Sequence, residues 1–398
     1  MASQKQPDYR INLRPYRILY WPILLPFSLL LAIFNKLSPV PFKIYSIRVD
    51  RIGQMAANQE EYFSQLELGL LPREFRVFVH RDYSSNNALL GILKRSMNIC
   101  QFFLPLYDIC QKLGGLGVSS KKLLDMHGDD AQQLAAKTSQ HVELSQAEID
   151  EARKQCIEVG IDPDVPFIPV LGRDSTYLSS IGEPTDTNSY RNTDINTYIP
   201  AMEYLADRFQ VIRVGSVVRD KLKTQHPKVF DYSLSGKRSE LLDVYLSAKC
   251  HFFFSTGSGL DTITSNLFRL PVLYVNFTPV TAVYMLKPWT SFIPKKLWLT
   301  TEKRYLTLSE ILERGVGDIY TPRELNPHGI IIHDNTPDEI TDAVQEMEAR
   351  LDGTWIETDE MKERQELFWS HFRRKNPHLK YSVRVISSFI ENNPNWLD

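Results

Sequence analysis

The apolar run Phe252-Phe253-Phe254 opens into Ser255-Thr256-Gly257-Ser258-Gly259, and a helical pattern then continues to Leu267. A strand that ends in small hydroxylated and glycine residues ahead of a helix suits an anion. The first helical N–H groups have no intrahelical partner, and glycine lets a ligand approach the backbone closely. Ser255, Thr256 and Ser258 would add hydroxyl donors. The same residues also fit a ligand-free capped turn. They match neither the P-loop nor the G-x-G-x-x-G pattern, which disfavours a P-loop NTPase and a standard dinucleotide enzyme.

A second group closes another apolar run: Leu171-Gly172-Arg173-Asp174, with Ser189-Tyr190-Arg191-Asn192 downstream. An arginine can hold a phosphate through two parallel hydrogen bonds, as a lysine cannot. Arg213 ends the next run, and Lys237-Arg238 opens the helix that follows. Singly, each reads equally well as a surface ion pair. Together, cations at one edge of one sheet point to an anionic ligand. The third group, Asp50-Arg51-Ile52-Gly53-Gln54, reads as a tight turn after the first strand, where Gly53 would admit a ligand.

Other chemistries find less support. Asp162 and Asp164 precede a strand rather than follow one, and His127, Asp129 and Asp130 show no ligand spacing, so no metal site is expected. There is no G-x-S-x-G elbow and no cysteine recognisably paired with a histidine. His251 and His333 read as core residues of apolar strands. Cys100, Cys110, Cys156 and Cys250 show no C-x-x-C spacing, which argues against a zinc ribbon or disulfide scaffold and for a reducing compartment.

These residues need a frame. Strands at 43–49 and 75–80 alternate with a helix capped by Asn58 and another at 86–97. A polar helical stretch from 114 to 164 follows, with Ser145 and Glu148 spaced as a capping box. Then the rhythm restarts: strands at 165–171, 209–214, 250–254 and 271–275, with helices at 198–208, 239–248 and 259–267 between them. Helices at 336–351 and 361–372 close the chain, the latter carrying Phe368, Trp369 and Phe372 and expected to pack across the domains. Alternating strands and helices predict an α/β fold with parallel sheets. The expected divisions are a basic and hydrophobic membrane-associating segment (1–40), a first α/β domain (41–164), a second α/β domain (165–355) and C-terminal helices (356–398).

Composition agrees with a folded chain: 43% of the 398 residues are hydrophobic and 24% charged. Lys and Arg total 46 against 48 Asp and Glu, a net charge of −2 that disfavours a globally basic nucleic-acid binder. The N-terminus differs. Lys5, Arg10, Arg14 and Arg17 face one acid, Asp8, and an apolar run at 18–34 contains Pro22 and Pro26. Spanning a bilayer takes roughly 20 apolar residues, so the run is marginal, and no small-residue cleavage site follows it. It reads as an interfacial anchor, favoured by Tyr20, Trp21 and the basic flank, or as a helix docked on the protein.

As a set, these residues resemble a family. The signature comprises Arg-Ile-Gly-x-x-Ala at 51–56, Gly-Arg-Asp-Ser-x-Tyr at 172–177, Tyr-Arg-Asn-x-Asp-Ile-x-x-Tyr at 190–198 and Val-Ile-Arg-x-Gly at 211–215. Arg-Ser-Glu-Leu-Leu-Asp-x-Tyr-Leu at 238–246, Ser-Gly-Leu at 258–260, Asn-Thr-Pro-x-Glu-Ile at 335–340 and Phe368-Trp369 complete it. In that order, from about residue 40 to the end, the sequence resembles bacterial glycosyltransferases encoded in surface-polysaccharide loci, with Gln54 where that family usually carries histidine. More distantly it is similar to the O-fucosyltransferase-like group of GT-B enzymes.

The resemblance implies two Rossmann-like domains facing a cleft and metal-independent transfer of a hexosyl or deoxyhexosyl unit from a nucleotide-sugar. The donor would be GDP-linked by the distant likeness alone, and the acceptor a cell-surface glycan or lipid-linked molecule at the inner face of the membrane. It would make Arg173 the diphosphate clamp and place donor phosphates on residues 255–259; by their place at the same sheet edge, Arg213 or Arg238 would assist. Asp50 and Asp174 are the candidate general bases. Two other readings are a catalytically silent nucleotide-sugar or lipid-phosphate binding module, to which Gln54 lends weight, and a nucleotide-sugar epimerase.

Overall fold

The computed structural model describes residues 14–81, 83–120, 131–174, 176, 189–319, 321–373 and 383–398, with side chains from Trp21 onward save those of 131–133 and 322. Lys5, Asp8, Arg10, His127, Asp129, Asp130 and Tyr177 lie outside these residues, as do the side chains of Arg14, Arg17 and Tyr20. The chain forms two compact units, residues 1–128 with 141–143, and residues 129–140 with 144–398.

The first unit runs α1 (Arg14–Leu37), β1 (Phe42–Ser46), α2 (Ile52–Glu67), β2 (Phe75–Val79), α3 (Asn87–Leu93), α4 (Leu104–Lys112) and β3 (Ser119–Ser120). Its strands form a parallel sheet in the order β2-β1-β3. Ile44, Val79, Leu106, Tyr107, Cys110 and Val118 build a core against which Leu31 and Ala32 of α1 pack. Asn86 caps α3 by accepting the Leu89 N–H at 2.7 Å. The turn expected at 50–54 is instead a helix start. Met55 and Ala56 are buried in step with Gln59, Tyr62 and Phe63, so the apolar stripe extends upstream of Asn58 and draws Ile52, Gly53 and Gln54 into the first turn of α2. Gly53 therefore serves no tight turn, and Gln54 is exposed.

The second unit contains α5 (Ala131–Lys137), α6 (Gln146–Glu158), β4 (Phe167–Leu171), α7 (Ile199–Ala206), β5 (Gln210–Arg213), β6 (Val229–Asp231), α8 (Glu240–Lys249) and β7 (Phe253–Ser255). The short α9 (Gly259–Thr262) continues as a π-helical turn, Ile263–Leu267. Then follow β8 (Val272–Phe277), β9 (Thr290–Pro294), β10 (Lys296–Leu299), β11 (Arg304–Tyr305), β12 (Ile330–His333), α10 (Pro337–Leu351), α11 (Asp359–Arg373), β13 (Arg384–Val385) and α12 (Ser387–Asn392). Seven parallel strands align in the order β13-β9-β8-β7-β4-β5-β6. Every residue of β4, β5, β7, β8 and β9 is buried, as expected where helices cover both faces. A smaller antiparallel sheet, β11-β10-β12, follows β9.

Two expectations change. The division expected at residue 165 falls earlier, because α6 belongs with the second unit: Gln155 accepts the hydroxyl of Ser239 at 2.6 Å. The capping box at Ser145 and Glu148 starts α6 as its spacing predicts. The aromatic helix α11 packs within its own unit, where Phe368 meets Phe292 of β9 and Trp396, and Trp369 donates to the carbonyl of Val383 at 3.2 Å.

Candidate functional site

In chain order the strands β4, β5 and β6 run outward on one side of the large sheet, while β7, β8, β9 and β13 run outward on the other. The winding thus reverses between β4 and β7. At such a switch point the two strand-to-helix loops part and leave a crevice beyond the carboxyl ends of the strands. The loops that meet there are Gly172-Arg173-Asp174 and Thr256-Gly257-Ser258, brought level by the pairing of Leu171 with Ser255.

The two loops are stitched together. The Arg173 N–H donates to Thr256 Oγ1 at 3.2 Å, and the Thr193 N–H donates to the Arg173 carbonyl at 2.9 Å. Gly172 packs closely, since a Cβ there would lie 2.8 Å from Ile195 Cδ1, which would have to shift. Arg191, at the end of the 3₁₀ turn Ser189–Arg191, donates its guanidinium to the carbonyl of Gly257. Gly257 adopts φ +84°, a left-handed conformation that glycine takes without strain. Arg173, Arg191, Gly257, Ser258 and Gly259 are all partly exposed.

Beneath the rim lies a buried carboxylate. Asp261 is 2% exposed and accepts the Ser255 hydroxyl and the Ser258 N–H, each at 2.5 Å, and the Tyr274 hydroxyl at 3.2 Å. Burial pushes its carboxyl up to about 6, against the pull of these hydrogen bonds and the charge of Arg191. Ser255 and Thr256 therefore spend their side chains on the protein, whereas Gly257, Ser258 and Gly259 form the accessible part of the expected phosphate loop.

Other predicted residues take structural places. Arg213 ends β5 at the expected edge but is 1% exposed, and it donates to the carbonyl of Asp220 and to Asp231 Oδ2, the latter at 3.2 Å. It holds the β5–β6 connection and presents no cation to the crevice. Arg238 binds Asp243 Oδ2 at 2.9 Å, beside the Ser239 cap of α8, and burial raises Asp243 to about 6 despite that arginine. Asp174 follows Arg173 and accepts backbone N–H groups on both oxygens, from Thr176 at 2.8 Å and Arg219 at 3.0 Å. Asp50, in the first unit, pairs with Arg48 at 2.9 Å. Burial alone would raise it, but Arg48, a backbone hydrogen bond and the charge of Arg51 together hold it below the usual carboxylate range.

Two residues of the same sheet edge, Lys295 and Asn276, escape the sequence reading. Lys295 directly follows β9, with only 3% of its side chain exposed, and binds Asp334 Oδ1 at 2.6 Å and the Asn192 carbonyl at 2.7 Å. It lines a cavity of about 270 Å³ with Tyr190, Asn192 and Asp334. A larger hollow of about 890 Å³, lined by Arg323, Glu324 and His328, shares Ser189 with it. Asn276, at the end of β8, exchanges backbone-to-side-chain hydrogen bonds of 2.6 and 2.5 Å with Asn335, which fixes the start of α10. Among the described residues no cluster of His, Cys, Asp or Glu could hold a metal ion.

No family model and no curated protein matches the chain. Among solved structures it is similar to a glycosyl transferase family 9 protein from Veillonella parvula, at TM-score 0.46 and 8% identity over 78% of this chain and 97% of that one. It is similar also to the E. coli ADP-heptose LPS heptosyltransferase II, at TM-score 0.41 and 14% identity over 77% and 100%. A third is the dodecameric iron-containing heptosyltransferase TibC in complex with ADP-D-β-D-heptose, at TM-score 0.37 and 9% identity over 78% of each chain.

Proposed function

We propose that the chain is a glycosyltransferase of GT-B type, which moves a hexosyl or deoxyhexosyl unit from a nucleotide-sugar to a cell-surface glycan or lipid-linked acceptor. One observation carries the reading: Arg173, Arg191 and the Gly257–Gly259 backbone converge at the β4/β7 switch point. Sugar transfer leaves negative charge on the departing diphosphate, and positioned guanidinium groups stabilise that charge without rearrangement. The Gly257 and Ser258 N–H groups already donate to Ser255 Oγ and Asp261 Oδ2, so these glycines and Ser258 would serve by close approach. Arg173 would clamp the diphosphate and Arg191 would lie over its loop, the place given from sequence to Arg213 or Arg238. The reaction so drawn uses no metal. The first unit would supply the acceptor side of a cleft, and the enzyme would work peripherally at the inner face of the cell membrane.

Asp174 and Asp50 are the carboxylates proposed to take the acceptor's proton. Arg48 lowers the proton affinity of Asp50, so catalysis through Asp50 would persist to lower pH than through an ordinary carboxylate. The engagement of both groups, Asp50 with Arg48 and Asp174 with two backbone donors, favours as a second reading a silent nucleotide-sugar or lipid-phosphate binding module.

Purified protein incubated with UDP-, GDP-, CMP-, dTDP- and ADP-linked sugars tests both readings. Release of the nucleotide with one donor, lost in Arg173→Ala, supports transfer. Ligand-induced stabilisation with no turnover supports the binding module.

A further inference from the structure

Helix α1 has two apolar faces. One is docked: Ser28 is fully buried, Leu31 and Ala32 pack on the core of the first unit, and Asn35 donates to the carbonyls of Phe42 at 2.7 Å and Gly117 at 3.1 Å. Trp21 lies beneath the ammonium group of Lys112, 4.9 Å from its ring centre, so it too is engaged with the protein. The other face carries Ile23, Phe27, Leu30, Phe34 and Leu37, exposed by 72, 49, 65, 53 and 81%. Their spacing of four, three, four and three places them in one stripe along the helix. Leu29 and Ile33 widen it. Single exposed apolar residues are ordinary, whereas a continuous stripe of this kind marks a surface that something covers.

We propose that this face is a membrane-docking surface that lies in the plane of an anionic bilayer. Charge selects the occupant. The 24 residues of α1 contain no acid, Arg14 and Arg17 stand at its start and Lys36 near its end, and Lys112 is exposed on the adjoining α4. Two copies of the helix would bring cations against cations in either orientation, while anionic headgroups meet the same charges favourably. No helix among the described residues is long and apolar enough to cross a membrane, and Leu31, Ala32 and Asn35 tie α1 to the first unit. The inference rests on this surface alone and is independent of the transfer reading.

Sedimentation of the full chain with vesicles tests it, using phosphatidylcholine with 30% phosphatidylglycerol (about a third anionic) at low salt. Because all three side chains are exposed, Phe27→Gln, Leu30→Gln and Phe34→Gln combined should leave the thermal midpoint unchanged and weaken vesicle binding at least tenfold. Ile356→Gln, which removes an 81% exposed side chain of the second unit, should leave binding intact. Pure phosphatidylcholine should bind at least tenfold more weakly than the anionic mixture. Vesicle binding that survives the triple substitution would overturn the proposal. So would a concentration-dependent dimer that the triple substitution dissolves, without any vesicle binding by the parent protein.

Discussion

Ser255 and Asp261 share a 2.5 Å hydrogen bond with both side chains sealed from water, exposed by 0 and 2%. The bond places a carboxylate at the start of α9, under the loop assigned to a diphosphate, and the burial of that carboxylate sets a pH dependence. The ordinary Asp261 carboxyl value is 3.8, and the folded protein raises it to about 6. Between those values the folded state holds more protons than the unfolded chain, so this group's contribution to stability falls as pH rises through the window and levels above it. Asp261→Asn lacks the term. Its melting temperature relative to the parent should climb between about pH 4 and 6 and stay flat to pH 8. A difference that does not vary with pH would exclude this role. Asp243, also raised to about 6, is common to both proteins and cancels.

Arg213 and Arg173 both stand at carboxyl ends of strands, yet they should fail differently when removed. Arg213→Ala strips a partner from the Asp231 pair in a site 1% exposed, with an expected loss of roughly 3–5 kcal/mol in urea unfolding. Arg173→Ala, at a partly exposed position, should cost less stability than Arg213→Ala and weaken nucleotide-sugar binding at least tenfold. Equal destabilisation by the two would show that Arg173 is structural as well.

Gly257→Ala tests the loop itself. Alanine at φ +84° costs about 1–2 kcal/mol, and its Cβ would meet Arg191 Nη2 at 3.6 Å, an ordinary contact. The expected result is a small fall in stability with a larger loss of ligand-induced stabilisation. Unchanged ligand response would argue against close approach at this glycine.

Lys295 and Asp334 form a pair of unequal exposure, 3% against 38% for the side chains. Asp334→Asn leaves a buried cation without its carboxylate, whereas Lys295→Met leaves a carboxylate that water can reach. The first should be the more destabilising, by on the order of 1–3 kcal/mol. Urea unfolding of the two variants checks the order, and the reverse ranking would contradict the described burial.

Much of this was legible in the residues. Ser145, Ser239 and Thr336 start helices where their spacing says they should. The runs expected at 165–171, 209–214 and 250–254 hold strands, which end at Leu171, Arg213 and Ser255. Strand order was not legible, because sequence periodicity carries no information on which buried strand lies beside which, and only the β4–β7 pairing brings Arg173 to Thr256. Arg213 looked like a clamp because a strand-end position does not reveal whether the side chain turns to the crevice or to Asp231. Asp261 could have been found, since Ser258-x-x-Asp261 has the spacing of a cap. The rule that singled out Arg173, a cation just past a buried strand, also fits Lys295. Gly53 misled because glycine in a first helical turn reads like glycine in a loop.

A crystal structure of the protein soaked with its preferred nucleoside diphosphate sugar bears most directly on the central claim. The account predicts diphosphate density between Arg173 and the Gly257–Gly259 backbone, with the Arg191 guanidinium within hydrogen-bond reach. A donor bound with its phosphates away from the junction of β4 and β7 would contradict it.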